Sequence, residues 1–587
     1  MADEQRYASL VDVLAQKARD QPADRAYVFV DESGAEQQAL TFAELDALAG
    51  KLAVRLAGAA PSGERALLAF PPGLEFIVAF FACLKAGLIA VPIMPPKQTR
   101  MRDATRSIVL DCAPALCLST EKLAASLTQV LTDTAVSSPA VMTVELDEVR
   151  AAQRPEPCAV SFLQPITRES LAFLQYTSGS TSSPKGVQVS HGNLLANLQM
   201  ILETFRNDRH STYVSWVPLY HDMGLILNVL QALYAGALCV LLAPVAFMQR
   251  PLAWIRAIDR YRAQIAGAPN FAFDLCVERL KKDALDGVDL SCWRVAFNGA
   301  EPVRADTLDN FAKAFEPFGF RRESLYPCYG MAEATLLISG GMPGSGAVTR
   351  PVSAAALSDG RVLPPRSADD TKRLVGCGRV LRAEEIAIVD PVVFTRVEQN
   401  RTGEIWVRGP HVSRGYWNRP DANVHTFDAH IHGEARGRWL RTGDLGCVDS
   451  AGELYITGRL KDLVIIRGVN HYPQDIELTV ERSHPALRTH CNAAFSVMLD
   501  QQEVLVVVQE VERTWRNNLD FDELIGDIRQ ALVQQHELFA HDIALIRPGT
   551  IPKTTSGKIR RALTKELWLS GALERVNGTL TNSQIDD

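Results

Sequence analysis

The 587-residue sequence lacks a long uninterrupted apolar stretch, a paired cysteine motif and a basic N-terminal segment. Its most apolar stretch, Phe76 to Leu84, is followed by Lys85 and Gly87. That stretch is too short to span a bilayer, so we expect a buried helix there. Eleven cysteines without C-x-x-C spacing favour reduced thiols over a disulfide framework. The first residues are acidic, whereas a secretory signal begins with basic ones. These absences predict a cytoplasmic protein without a transmembrane segment.

The sequence also lacks an excess of positive charge. Lysine and arginine number 61 against 68 aspartates and glutamates, for a formal net charge of −7. This balance argues against nucleic acid or an anionic membrane as the main partner. The apolar fraction of 47% and the charged fraction of 22% are those of an ordinary globular protein. Because the length exceeds that of one typical domain, at least two domains are expected.

Predicted strands and helices alternate over the first half of the chain. Residues 8–58 are predicted to be helical, with Thr41 and Glu44 forming a capping box. From residue 64 to residue 315, short apolar runs alternate with helical stretches. This alternation indicates an α/β protein with a largely parallel sheet and helices on both faces.

The pattern changes twice further along the chain. Residues 340–373 are rich in glycine, alanine and proline without a sustained period, so we expect an inserted surface segment there. From Glu404 the pattern turns to short strands, and residues 463–546 predict a smaller α+β unit. We therefore predict a large domain over residues 1–459 and a small domain over residues 460–587.

A hydroxyl-rich stretch at residues 176–186 reads Y-T-S-G-S-T-S-S-P-K-G and follows the apolar run Leu171–Leu174. The run predicts a buried strand, and the stretch predicts the loop at the strand's carboxyl end, where open α/β sheets bind ligands. Glycines let backbone N–H groups approach phosphate oxygens, and the lysine adds charge. The spacing of a Walker A loop is absent. A flexible Ser/Gly linker is the alternative interpretation.

Four further stretches carry chemistry-bearing side chains, and each is ambiguous on its own. Glu333 follows a strand-like segment, but such an acid is often solvated or caps a helix. His221 and Asp222 follow another predicted strand, where a histidine is more often structural. Asp444 lies in R-T-G-D, a pattern typical of a tight turn. Lys558 lies in the basic stretch P-K-T-T-S-G-K, which equally fits a solvated loop.

These stretches occur together in an order that resembles the adenylate-forming superfamily of acyl- and aryl-CoA synthetases, adenylation domains and luciferases. The resemblance covers residues from about 10 to 570 and includes the motifs at 176–187, 329–333, 441–444, 458–462 and 552–558. Within the superfamily the sequence is similar to the fatty acyl-AMP ligases. That likeness is carried by His221–Leu225, Asn298–Val303, Gly376–Arg379 and an extra segment around residues 345–373.

The resemblance implies a large N-terminal domain of layered, mostly parallel sheets with helices, followed by a small mobile α+β lid domain. It implies that ATP and Mg²⁺ are used to convert a medium- or long-chain fatty acid to its acyl-adenylate. The acyl group would then pass to the phosphopantetheine thiol of an acyl carrier protein. Because no carrier domain follows residue 570, we expect the carrier to be a separate chain.

Three alternatives remain open at this point. The first is a fatty acyl-CoA synthetase that uses free CoA, from which the extra segment distinguishes the chain. The second is an amino-acid adenylation domain, since Asp222 stands near where such domains place a carboxylate for the substrate ammonium. The third is a nucleotide-binding regulator without catalysis, which the presence of every required charged residue disfavours.

The resemblance also implies roles for individual residues. Lys558 would bridge the substrate carboxylate and the α-phosphate, Lys185 would bind phosphates, and His221 would line the mouth of an acyl tunnel. Glu333, with Thr181 beside it, would hold Mg²⁺, and Lys461 would be the hinge. Residues expected to bind the nucleotide are Thr177, Ser178, Gly179, Ser180, Thr181, Asn298, Gly299, Ala300, Glu301, Tyr329, Gly330, Met331, Ala332, Asp444, Ile456 and Arg459. Residues expected near the acyl chain are Asp222, Met223, Phe271 and Phe273.

Overall fold

The computed structural model of the chain describes residues 6–96, 103–132, 139–152, 165–177, 184–280, 285–381, 384–435, 437–466, 469–499, 502–515, 520–554 and 557–577. Within these ranges, none of the helices combines the length and the apolar character needed to cross a membrane.

The chain up to Arg459 forms two sheets with helices packed on them. Its strands are β1 (Arg25–Val30), β2 (Glu36–Thr41), β3 (Arg65–Leu68), β4 (Ile89–Pro92), β5 (Leu116–Ser119), β6 (Ala140–Thr143), β7 (Leu171–Thr177), β8 (Lys185–Ser190), β9 (Thr212–Ser215), β10 (Leu238–Leu242), β11 (Ile265–Ala268), β12 (Val295–Asn298), β13 (Leu325–Gly330), β14 (Leu337–Gly340), β15 (Thr349–Ser353), β16 (Thr371–Val380), β17 (Glu385–Val389), β18 (Gly403–Arg408), β19 (Leu440–Val448) and β20 (Glu453–Arg459).

The α-helices of this part are α1 (Leu10–Asp20), α2 (Phe42–Ala59), α3 (Glu75–Lys85), α4 (Asp103–Cys112), α5 (Glu121–Thr132), α6 (Leu146–Ala151), α7 (His191–Phe205), α8 (Gln231–Ala235), α9 (Pro244–Gln249), α10 (Leu252–Arg260), α11 (Asn270–Arg279), α12 (Ala305–Phe315), α13 (Ala354–Ser358) and α14 (Pro420–Phe427). A π-helix over Met223–Leu230 leads into α8. Short 3₁₀ turns cover Glu316–Phe318, Arg322–Ser324, Ala332–Ala334 and Leu460–Asp462.

The first sheet has six strands in the order β6-β5-β3-β4-β7-β8. Its neighbours are parallel except for the β7–β8 hairpin. The second sheet has fourteen strands in the order β17-β18-β19-β20-β16-β14-β13-β12-β11-β9-β10-β1-β2, and β15 pairs with β16 outside this path. Its run from β1 through β10, β9, β11 and β12 to β13 is parallel. Beyond β13 the pairing is antiparallel.

The apolar strands explain where the core lies. Every residue of β4, β11 and β12 is buried, as expected of parallel strands covered by helices on both faces. Helix α3 is buried from Phe76 to Leu84, which confirms the predicted core helix. The capping box of Thr41 and Glu44 is also present at the start of α2. The layered α/β architecture is therefore confirmed.

The remainder of the chain forms a smaller α+β unit. Its elements are β21 (Val464–Ile466), β22 (Val469–His471), α15 (Pro473–Ser483), β23 (Leu487–Leu499), β24 (Gln502–Val511), α16 (Phe521–His536), β25 (Ala540–Ile546) and α17 (Arg561–Leu569). Strands β23, β24 and β25 form one sheet, and β21 pairs with β22. This unit has its own apolar core, which includes Ile476, Val507 and Ile528. The predicted boundary at residues 459 and 460 stays a prediction.

Two expectations about local structure were wrong. Residues 8–58 are not continuously helical, because β1 and β2 form an antiparallel pair between α1 and α2. The aromatic and β-branched residues of β1 favour a strand. The alternative interpretation of Asp444 as a turn former is also not supported, because Asp444 lies within strand β19. Residues 340–373 are not an irregular surface segment throughout, since β15 pairs with β16 and the side chains of Val352 and Leu357 are buried.

Candidate active site

The hydroxyl-rich loop joins β7 to β8, so Thr177 and Lys185 face each other across this hairpin. The predicted phosphate-binding residues Ser178, Gly179, Ser180 and Thr181 lie outside the described residues. The Lys185 ammonium lies 4.7 Å from the centre of the Tyr416 ring. Burial lowers the pKa of Lys185, the charge of Lys461 lowers it further, and the Glu333 carboxylate opposes both effects. The lysine therefore lies among other charged groups at the base of the loop.

A segment at residues 415–417 lies along the outer side of β8. The N–H of Trp417 donates to the carbonyl of Gly186 at 2.7 Å, and the N–H of Gln188 donates to the carbonyl of Gly415 at 2.9 Å. Sequence reasoning did not identify this segment, since its only signal is an aromatic pair before N-R-P. Its backbone bonds hold Tyr416 next to the predicted phosphate-binding loop.

Tyr416 connects the lysine to the predicted metal ligand. The Tyr416 hydroxyl donates to Glu333 Oε1 at 2.8 Å, and both side chains are buried. Burial raises the pKa of Glu333, and the hydrogen bond from Tyr416 partly offsets that rise. A cation at this carboxylate would favour its ionised form. Glu333 is therefore suited to be the protein ligand of a Mg²⁺ ion whose other ligands are mainly phosphates and water. Among the described residues, no cluster of three or more His, Cys, Asp or Glu side chains forms a complete metal cage.

A second carboxylate, Asp444, lies at the other side of the site. Its Oδ2 accepts from the Tyr329 hydroxyl at 2.8 Å, and its Oδ1 accepts from Arg459 Nε at 2.9 Å. Asp444 and Arg459 are register partners in β19 and β20. Burial and the negative charge of Asp444 raise the pKa of Tyr329 well above its ordinary value. The structure thus brings together three residues that the sequence assigned to nucleotide binding.

The strand ends of β12 and β13 form the surface between these carboxylates. Asn298 ends β12 and is fully buried, and Ala300 has a left-handed backbone with φ of +69°. A Cβ on Gly330 would lie 1.8 Å from the Leu336 carbonyl oxygen, so only glycine fits there. The remaining predicted nucleotide residues lie on the same elements: Gly299 and Glu301 after β12, Met331 and Ala332 after β13, and Ile456 in β20.

The small domain places Lys558 against carboxylates of the large domain. Burial lowers the pKa of Lys558, whereas the charge of Asp222 raises it, and Arg459 and Glu301 also act on it. The backbone N–H of Lys558 donates to Thr554 Oγ1 at 3.0 Å, and the carbonyl of Lys558 accepts from the Thr554 N–H at 2.7 Å. The predicted catalytic lysine therefore lies at the candidate site, within the folded loop of the small domain.

The H-D-M-G turn after β9 lies beside this lysine. Asp222 Oδ1 accepts from the N–H of Met223 at 2.7 Å. Burial raises the pKa of Asp222, and the positive charge of Lys558 partly offsets that rise. A Cβ on Gly224 would lie 2.1 Å from the Pro218 carbonyl oxygen, so the turn requires glycine. The His221 N–H donates to the same carbonyl at 3.1 Å. Asp222 therefore bonds to neighbouring backbone, which weakens the case for an amino-acid adenylation domain.

The residues predicted to bind the acyl chain differ in their surroundings. Met223 is buried at the start of the π-helix. Phe271 lies under the Lys558 loop, because a Cβ on Gly557 would lie 3.1 Å from its ring. Phe273 is fully buried, with its ring centre 4.9 Å from that of Phe311. Acyl binding by these residues stays a prediction.

Two family models match the chain. The model described as "AMP-binding enzyme" matches residues 14–417. The model described as "Disco-interacting protein 2-like, AMP domain" matches residues 461–577. The first match covers more than half of the sequence and includes the β7–β8 loop, Glu333 and Tyr416. The second includes the loop that carries Lys558.

Proteins of known name and structure are similar over nearly the whole chain. The medium-chain-fatty-acid–[acyl-carrier-protein] ligase JamA of Moorena producens (strain JHB) is 40% identical over 97% of this chain and 96% of its own length. A second medium-chain-fatty-acid–[acyl-carrier-protein] ligase, TtuA of Teredinibacter turnerae, is 35% identical over 93% of this chain and 91% of its own length. The solved fatty acyl-adenylate ligase of L. pneumophila, in complex with acyl adenylate and pyrophosphate, has a TM-score of 0.74 and 38% identity, covering 99% of this chain and 100% of that one.

Proposed function

This chain belongs to the AMP-binding enzymes, among the fatty acyl-AMP ligases, and we propose that it activates a medium-chain fatty acid and transfers it to an acyl carrier protein. The observation that carries this function is the position of Lys558. The charges of Asp222, at the turn predicted to face the acyl group, and of Asp444 and Arg459, at the predicted ribose site, all act on the pKa of this buried lysine. We infer that one cation serves both halves of the acyl-adenylate to be formed.

The chemistry requires such a cation. A carboxylate oxygen of the fatty acid attacks the α-phosphorus of ATP, and the bond to pyrophosphate breaks. This step brings two anions together and builds charge on phosphate oxygens, so fixed positive groups lower its barrier. Lys558 would neutralise the carboxylate and the α-phosphate, while Lys185 would bind the departing pyrophosphate. When bound at Glu333, Mg²⁺ would add charge at the phosphates.

The second step needs access for a thiol. The phosphopantetheine sulfur would attack the acyl carbonyl carbon, and AMP would leave. Because Lys558 occupies the site in the present arrangement, the small domain would first turn about Lys461, between β20 and β21. We also propose that both steps occur in the cytoplasm.

The extra segment supports a carrier protein over free CoA as the acceptor. Lys372 Nζ lies 2.5 Å from Asp475 Oδ2 in α15, and Asn470 Nδ2 donates to the Ser358 carbonyl at 3.3 Å. The ring of Tyr472 packs with the apolar cluster of Val352 and other buried residues. These contacts tie the segment to the small domain and would oppose the larger rotation that free CoA is expected to require.

The function is tested by following both half-reactions with purified full-length protein. Pyrophosphate release is measured with ATP, Mg²⁺ and fatty acids of graded length, dodecanoate included. Thioester formation is then measured with a holo-carrier protein, with the apo-carrier as control, and with CoA in a parallel reaction. We expect fatty-acid-dependent pyrophosphate release and transfer to the holo-carrier alone. Rapid thioester formation with CoA would instead identify an acyl-CoA synthetase, and release driven by amino acids alone would identify an adenylation domain.

Replacing Tyr416 with phenylalanine tests how Glu333 is held for Mg²⁺. The variant keeps the ring beneath Lys185 but removes the hydrogen bond to the buried carboxylate. Loss of a group that orients a metal ligand typically weakens metal binding about 10–100-fold, and we expect the lower end. The measurement is the Mg²⁺ dependence of ATP binding by calorimetry without fatty acid. Tyr455→Phe, which loses a hydrogen bond to Asp449 instead, should retain wild-type Mg²⁺ dependence, and equal losses in both variants would contradict the assignment.

A further inference from the structure

We propose that the ion pair between His490 and Asp274 is a positioning contact that holds the small domain where Lys558 reaches the adenylation site. The proposal rests on the function proposed above. His490 lies in β23 of the small domain and Asp274 in α11 of the large domain, and His490 Nε2 lies 2.9 Å from Asp274 Oδ2. The two side chains are 24% and 18% exposed, so the pair is largely shielded from solvent.

The backbone at His490 is shaped to present the ring to the large domain. The register of β23 with β24 shifts between Leu487 and Asn492, and His490 has a left-handed φ of +54° in this irregular stretch. Among residues other than glycine, asparagine, aspartate and histidine adopt this conformation most readily. It is retained here because the His490 N–H donates to Glu481 Oε2 at 2.9 Å. The buried acid therefore fixes the backbone from which the His490 side chain reaches Asp274.

The same residue is bound to the loop that carries Lys558. Lys553 Nζ donates to the His490 carbonyl oxygen at 2.9 Å. Lys553 is also bridged to Ile559 through the backbone, which closes the loop around Lys558. A displacement of His490 would therefore move the loop of the catalytic lysine, through the Lys553 side chain and the backbone bridge between Lys553 and Ile559.

Asp274 in turn belongs to a hydrogen-bond network that reaches the nucleotide surface. Its Oδ2 accepts from Thr307 Oγ1 at 2.8 Å and from Asn270 Nδ2 at 3.4 Å. Asn270 Oδ1 accepts from Nδ2 of the buried Asn298, at the end of β12, at 3.3 Å. The first turn of α11 thus contacts the predicted adenine site through Asn270 and the small domain through Asp274.

Other interdomain contacts flank the pair, and one of them involves Glu481, which also accepts from the His490 N–H. Arg304 Nη1 lies 2.6 Å from Glu481 Oε1, and Arg482 Nη2 lies 2.5 Å from Asp306 Oδ2. Both involve the end of helix α15. The His490 pair differs because its small-domain residue directly contacts the loop of the catalytic lysine. Its loss should therefore reduce adenylation without unfolding the interface.

The test uses His490→Asn, Asp274→Asn and the double variant in the full-length protein. Asparagine tolerates the left-handed backbone but is too short to reach Asp274. Because each single change removes a hydrogen bond to a charged group, we expect it to slow fatty-acid-dependent pyrophosphate release about 10-fold. The double variant should lose no more than either single one. His490→Gln, whose amide can reach the carboxylate, should recover part of the rate.

Two further measurements separate positioning from general damage. Transfer from supplied dodecanoyl-adenylate to the holo-carrier should remain within about twofold of wild type, because that step does not use the closed arrangement. Hydrogen exchange, which needs no activity, should increase in residues 270–279 and 551–560 of His490→Asn but not in strand β12. The proposal would be overturned if hydrogen exchange and adenylation were unchanged in the variants. It would also be overturned if the losses of the two single variants added in the double variant, or if carrier transfer fell as much as adenylation. Absence of pyrophosphate release by the wild type would refute the proposed function, and the exchange data would still decide the role of the pair.

The pair also predicts a pH dependence. Burial lowers the pKa of His490, and the positive charge of Arg304 lowers it further. The hydrogen bond to Asp274 and the charge of Glu481 outweigh both effects, so the pKa lies above its ordinary value. Lys553 faces the carbonyl of the same residue. Because the closed-state pKa is raised, the charged pair contributes at low pH and its contribution is lost as pH rises through that pKa. The deficit of His490→Asn relative to wild type should therefore be larger at about pH 6 than at about pH 8, and a constant ratio would contradict this.

Discussion

Replacing Lys558 with alanine is expected to slow acyl-adenylate formation by about 10²-fold or more while ATP binding is retained. In the proposed mechanism the lysine acts on charge that develops during the reaction, and loss of one such group typically costs about 10²–10³-fold. In the proposed site, ATP in the ground state is held by other groups, among them those around Glu333 and Asp444. The structure places Lys558 where burial and neighbouring carboxylates act on it together.

The measurement combines fatty-acid-dependent pyrophosphate release with calorimetric ATP binding in the absence of fatty acid. Lys565→Ala is the matched control, because it removes a lysine from the adjacent helix α17. Lys558→Arg keeps the charge but changes its geometry, so it should fall between the two. Acyl-adenylate formation by Lys558→Ala at the wild-type rate would remove the lysine from the mechanism. An equal loss of ATP binding would assign it to substrate binding instead.

Replacing Asp444 with alanine is expected to lower kcat/KM for ATP by about 10²-fold. In the proposed site Asp444 accepts hydrogen bonds from both ribose hydroxyls, and each such bond to a charged group contributes about 1.5–3 kcal/mol. The change also leaves Tyr329 and Arg459 without the carboxylate to which they now donate. Part of the loss will therefore come from displacement of these two side chains.

A ligand lacking both hydroxyls separates the two contributions. Wild-type protein should bind 2′,3′-dideoxy-ATP much more weakly than ATP, and Asp444→Ala should bind the two nucleotides alike. Thermal unfolding of the variant reports the structural cost independently. If the variant still prefers ATP over the dideoxy analogue by the wild-type factor, Asp444 does not contact the ribose.

Local sequence patterns predicted those features that depend on neighbouring residues. The Thr41–Glu44 capping box, the buried helix from Phe76 and the strand before the hydroxyl-rich loop are all present. Each depends on spacing within a few residues, where helix and strand periodicity are decisive. The prediction for residues 8–58 was wrong because strand β1 is stabilised by pairing with the distant β10, which no local pattern reports.

Long-range contacts also explain which site residues were missed. Tyr416 was not identified because its role depends on Glu333, 83 positions away, and on the edge of β8. His490 was missed because its partner, Asp274, belongs to another domain. A single tyrosine or histidine carries no signal by itself, since most such residues serve packing.

The sequence was sufficient to predict the candidate groups of the site and to identify the family by resemblance. Its motifs follow strand ends in a set order, and their joint occurrence resembles the adenylate-forming enzymes. Tertiary structure alone decided which groups meet: Lys185 with Tyr416 and Glu333, Asp444 with Tyr329 and Arg459, and Lys558 with Asp222. The sheet register and the docking of the small domain bring these residues together although they are distant in the sequence, and no local pattern reports such contacts.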